Sequence, residues 1–255
     1  MLPEIEEDAA SSEIANLYAD IRTTLNVPKV NLIYRYFAAT EGVLNSVWPI
    51  LRPQFRSGCF ARLARDNDAL YAIQSTHMQL LKCCLADAAA RESIIEILDF
   101  YLKANPLNLY ALVYLNEISI SPEDEAQKET PLMSIKTLRA SVDIHNFDMP
   151  ADELMFLVSQ GATAIRPTLL RQLQSWPDYL NNIFAFVKAC CLDERFNEEV
   201  SAVYDKAKLQ IAELPAVQSS LRSILLDPEV KLFCRYFPVI LIRMTLLANA
   251  LRKAL

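Results

Sequence analysis

The sequence predicts an all-α fold of two pseudo-twofold-related helical repeats packed face to face. Three observations point that way. Of 255 residues 53% are hydrophobic and only three are glycine, Gly42, Gly58 and Gly161. That is too few for the turns and phosphate loops of a β-rich or doubly wound fold. Apolar residues recur at helical spacing along most of the chain. Several positions of the first half also return in the second at a constant offset of 136 residues.

Taken in order, Ser12 is the expected cap of a first helix in which Ile14, Leu17, Ile21 and Leu25 recur at three and four, and Asn26 and Pro28 end it. Leu44, Val47, Trp48 and Leu51 form an apolar stripe. Leu180, Ile183, Phe184 and Val187 repeat it at the 136-residue offset, where Arg35 also matches Arg171, Phe37 matches Leu173 and Asn45 matches Asn181. Further helices are expected near 59–84, 90–104, 107–118, 151–165, 177–194, 196–213 and 228–253, with a short one at 134–140. Proline and charge around Pro122, Pro131 and Pro150 read as a long connection. The chain thus divides into a first repeat (1–118), a linker (119–150) and a second repeat (151–255).

Composition excludes several functions. A net charge of −6 is the wrong sign for a nucleic-acid partner. The acidic opening Met1-Leu-Pro-Glu-Ile-Glu-Glu-Asp8 is unlike the basic-then-apolar layout of a signal peptide. Residues 232–255 are apolar, but Arg235, Pro238, Arg243 and Asn249 interrupt them, which favours a buried helix over a membrane span. The expectation is a cytoplasmic protein with no membrane contact and no cofactor. Two histidines and no CxxC leave no metal or thioredoxin-type motif. The adjacent pairs Cys83–Cys84 and Cys190–Cys191 lie in apolar contexts and read as small core hydrophobes; a redox role would need exposed, low-pKa thiols.

The segments Glu13-Ile-Ala-Asn-Leu-Tyr-Ala-Asp-Ile-Arg-Thr-Thr-Leu-Asn-Val-Pro28 and Leu173-Gln-Ser-Trp-Pro-Asp-Tyr-Leu180 resemble both halves of the group I α-haloacid dehalogenases. The resemblance is clearest over 13–48, 90–118 and 170–212. It implies a buried site between two all-α halves and hydrolysis of short 2-halocarboxylic acids. In that chemistry an aspartate takes a proton from a water as the water attacks the halogen-bearing carbon, with inversion and no covalent ester. It also implies a homodimer.

Carried over residue by residue, the resemblance places Asn105, before Pro106, on the family's water-positioning asparagine. An Asn before Pro is equally a good helix cap. Lys29 stands where the family has a pocket tryptophan, Leu32 where it has an aromatic, and Thr168 where it has a serine. Leu241 falls near a pocket tyrosine. Leu169 stands in the place of the catalytic aspartate, and no Asp or Glu occurs from Leu154 to Pro177, so no shift of alignment recovers the acid. The nearest carboxylates, Glu153 and Asp178, belong to first helical turns.

Three functions follow as expectations. The first is a divergent member without hydrolytic dehalogenation, keeping an apolar pocket for a small carboxylic or halocarboxylic acid or serving as a scaffold. The alternative is an active 2-haloacid dehalogenase with a relocated base. The third is a cysteine redox enzyme. Lys29 either pairs a ligand carboxylate or is a solvated lysine, and Arg35 and Arg171 either clamp an anion or coat the surface. If only the base has been lost, Leu169→Asp should restore trace activity on 2-chloropropionate.

Overall fold

The computed structural model describes residues 3–67, 77–81, 87–119, 133–145, 147–162, 165–214 and 228–255. Among them every regular element is helical. The first half contains α1 (Ser12–Leu25), α2 (Leu32–Ala39), α3 (Val43–Arg56), α4 (Cys59–Arg65) and α5 (Ala88–Ser119). After α6 (Ile135–Ile144) come α7 (Pro150–Val158), α8 (Thr168–Leu173), α9 (Pro177–Cys191), α10 (Glu194–Ala212) and α11 (Pro228–Ala254). Helices α2 and α8 begin at Leu32 and Thr168, separated by the same 136 residues that relate the apolar stripes.

The two long helices, α5 and α11, pack against each other in the most extensive contact of the described residues. Every residue from Asn108 to Asn116 of α5 and from Phe237 to Ala248 of α11 is buried. A helix buried on all faces has no polar side to give it an amphipathic stripe. Around this pair the shorter helices turn one face inward, as α3 does with Leu44, Val47, Trp48 and Leu51. No described helix is long and apolar enough to cross a membrane.

Several boundaries differ from expectation. Residues 90–118 form one helix, because Pro106 lies inside α5 and Asn105 is an interior residue and no cap. A proline there costs about 3 kcal/mol relative to alanine, and burial of Tyr101, Ala104 and Leu109 on both sides of it offsets that. The cap of α1 is Ser11, whose Oγ accepts from the Ile14 N–H, and Ser12 is the first helical residue. Helix α4 stops at Arg65, and Asn67 turns inward to donate to Gln210 Oε1 at 2.9 Å. The middle of the expected 59–84 helix, Cys83, Cys84 and the prolines Pro122 and Pro131 lie outside the described residues. Helix α7 ends at Val158, since Gln160 and Gly161 take left-handed backbone and the Gly161 N–H reaches back to the Phe156 carbonyl. Helices α2 and α8, of eight and six residues, are too short for periodicity to reveal.

Arg243, which breaks the apolar run of α11, is fully buried. It donates to Asn197 Oδ1 at 2.5 Å and to the Leu157 and Cys191 carbonyls at 3.1 and 3.4 Å, with its guanidinium 5.2 Å from the Phe196 ring centre. One side chain thus ties α11 to α7, α9 and α10. Removing it leaves buried acceptors without a donor and a void behind them. Arg243→Ala is expected to cost about 3 kcal/mol or more, read as a lower urea midpoint.

Candidate functional site

The loop between α1 and α2 brings Pro28, Lys29 and Val30 against the start of α2, and α8 begins on the opposite side. Between them lies a cavity of about 720 Å³, lined by Lys29, Leu32 and Arg35 from the first half, Phe100 and Tyr101 from α5, and Thr168, Arg171 and Gln172 from α8. Glu6, Glu7 and Asp8 complete the wall. A smaller hollow of about 330 Å³ shares Lys29, Phe100 and Gln172 and extends to Trp176.

The acidic residues belong to a segment laid across the cavity. The Ile5 N–H donates to the Arg35 carbonyl at 3.2 Å, and the Tyr18 hydroxyl donates to the Ile5 carbonyl at 2.8 Å. Glu7 accepts from the Val30 N–H at 2.7 Å and pairs with Arg22, while Glu6 pairs with Arg35. Glu4 sits between the two equivalent arginines: its carboxylate is 3.0 Å from Arg35 Nη2 and 2.8 Å from Arg171 Nη1. Arg35 and Arg171 therefore hold an anion, and that anion comes from the chain itself.

Of the residues singled out from sequence, Lys29, Leu32 and Thr168 share this cavity. Lys29 is exposed on the rim and has no carboxylate within ion-pair distance among the described residues. Asn105, Leu169 and Leu241 lie in the packed interior, 1%, 2% and 3% exposed, and none of them lines the cavity. Asn105 Nδ2 and the nearby Asn108 Nδ2 are buried without an acceptor among the described residues, which carries a desolvation cost. Glu153 is spoken for by Lys188 at 2.7 Å, and Asp178 is exposed in the first turn of α9.

Sequence reasoning missed Tyr101 and Glu4. Tyr101 is a buried hydroxyl on the cavity wall whose pKa is pushed up to about 12 by burial, against the lowering effects of its hydrogen bond with Thr168 and the charges of Arg35 and Arg171. It stays neutral at ordinary pH. Thiol chemistry finds no support among the described residues. Cys190 and Cys191 are buried, and burial raises the Cys191 thiol although Arg243 pulls the other way. Burial alone raises Cys234 to about 12. No cluster of His, Cys, Asp and Glu among the described residues is arranged to hold a metal ion.

No protein-family model matches the chain, and no curated protein sequence does. Among solved structures it is similar to a D-2-haloacid dehalogenase mutant in complex with D-2-CPA, with a TM-score of 0.67 over 100% of this chain and 96% of that one, at 14% identity. The chain has the all-α haloacid dehalogenase fold.

Leu169 packs in the apolar core on α8. An aspartate there would be buried without a cation and held neutral. Leu169→Asp is expected to destabilise the fold by about 3–5 kcal/mol, measured by urea unfolding, and to give no halide release at neutral pH.

Proposed function

We propose that the chain is a divergent protein of the haloacid dehalogenase fold that has lost hydrolytic dehalogenation and binds a small carboxylic acid in the cavity between α2 and α8. The observation that carries this reading is the burial of Leu169 among apolar side chains, at the position where the resemblance puts the catalytic aspartate. Losing a general base costs about 10²–10⁴-fold in rate, and a buried leucine also leaves no place for the attacking water. The cavity offers different chemistry. Lys29, Arg35 and Arg171 supply positive charge from three places on its wall, and the neutral Tyr101 hydroxyl and Thr168 supply hydrogen-bonding groups.

The second reading, an active haloacid hydrolase with a relocated base, draws on Glu6, Glu7 and Asp8. Glu6 and Glu7 are held by arginines. Asp8 has no cation within ion-pair distance among the described residues, but it is exposed. A carboxylate open to solvent lacks the dry surroundings that direct displacement at carbon requires. Halide release from D- and L-2-chloropropionate by the purified chain, beside a working haloacid dehalogenase, separates the two. The expected result is release no faster than the no-enzyme rate. Release above it, abolished by Asp8→Asn, would establish the hydrolase.

A further inference from the structure

We propose that Arg35 and Arg171 form a carboxylate seat that Glu4 fills from within the chain, and that a short free carboxylate enters the cavity by displacing the segment carrying Glu4. This deepens the reading above and rests on it.

Arg35 on α2 and Arg171 on α8 occupy equivalent places in the two halves and converge on one carboxylate. Their side chains are 13% and 25% exposed, and that of Glu4 is 10% exposed. Two cations this close and partly withdrawn from water require an anion between them. Glu4 meets the requirement incompletely. Its Oε2 is in ion-pair range of Arg35 but completes no hydrogen bond, and Arg35 Nε is buried without an acceptor. A carboxylate free of the chain is able to settle against both guanidinium edges.

The segment is built to leave. None of residues 3–10 is fully buried, and apart from Ala10, which packs against the core, the segment is held by ion pairs and a few hydrogen bonds. Segments with few apolar contacts open at low free energy. While it is in place, Glu6, Glu7 and Asp8 offset Lys29, Arg35 and Arg171 on the cavity wall and repel an incoming anion. Lifting it removes the acidic wall and uncovers the guanidinium edges that Glu4 occupies. Carboxylate recognition and displacement of the segment are therefore one event.

The test is thermal unfolding of the full chain in sodium propionate against sodium chloride of equal ionic strength. The wild type is compared with Glu4→Ala, Glu4→Gln and the double variant Glu4→Ala/Arg171→Gln. Glu4→Ala is expected to melt lower than the wild type. Propionate should restore it, with an apparent affinity about tenfold or more above that for the wild type, because the internal competitor is gone. The double variant should show no propionate-specific rise. Glu4→Gln keeps the shape of the side chain and gives the same ordering should Glu4→Ala fail to fold. Equal protection of wild type and variants would mean that carboxylates bind beside Glu4: the cavity reading would stand and the displacement would be overturned. Protection of none of them would overturn both.

Discussion

The contact between α5 and α11 governs the rest of this structure. Each long helix is buried on all faces over part of its length, α5 from Asn108 to Asn116 and α11 from Phe237 to Ala248, and each carries a proline inside it, Pro106 and Pro238. A proline in a helix interior removes a hydrogen bond and crowds the preceding turn. Both helices nonetheless run unbroken, because side chains such as Leu109, Leu112, Leu241 and Leu246 have nowhere else to go than the joint core. The buried Arg243 keeps that core in register by bonding to three surrounding helices. The shorter helices are then positioned by what they pack on, and α2 and α8 line one cavity with the stretch of α5 that carries Tyr101.

This arrangement separates two places that the resemblance to haloacid dehalogenases would merge. Tyr101 and Asn105 are one helical turn apart on α5. Tyr101 lines the cavity, whereas Asn105 is sealed in the interior with Leu169 and Leu241. All three are buried, and no Asp or Glu among the described residues is buried in the interior. The cavity is charged, with guanidinium groups from both halves aimed at one carboxylate. In this chain the anion that the two guanidinium groups hold is Glu4, nearer the surface than Asn105 and Leu169.

Much of the fold was legible because most of the helices are one-sided. Leu44, Val47, Trp48 and Leu51 are spaced as a helix facing a core requires, and all four are buried. Legibility failed where the physics leaves no local trace. Asn105-Pro106 read as a boundary, since local preference favours a cap there and only the packing of α11 outweighs it. Helices α2 and α8 are shorter than the window in which a period can be seen. At the site, Lys29, Leu32 and Thr168 came from resemblance and do share a cavity, while Leu169, Asn105 and Leu241, named on the same ground, are buried away from it. Glu4 was invisible. Its ion pair with Arg171 spans 167 residues, and an acidic stretch seen alone reads as solvated chain.

A carboxylic acid is expected to bind in the charged cavity between α2 and α8 and not in the interior beside Leu169. Crystals grown with 2-bromopropionate test it most directly, because bromine is located by its anomalous scattering. The expected result is bromine in the cavity, still bonded to carbon, with the carboxylate against Arg35 and Arg171. Bromine or free bromide beside Asn105, Leu169 and Leu241 would contradict it.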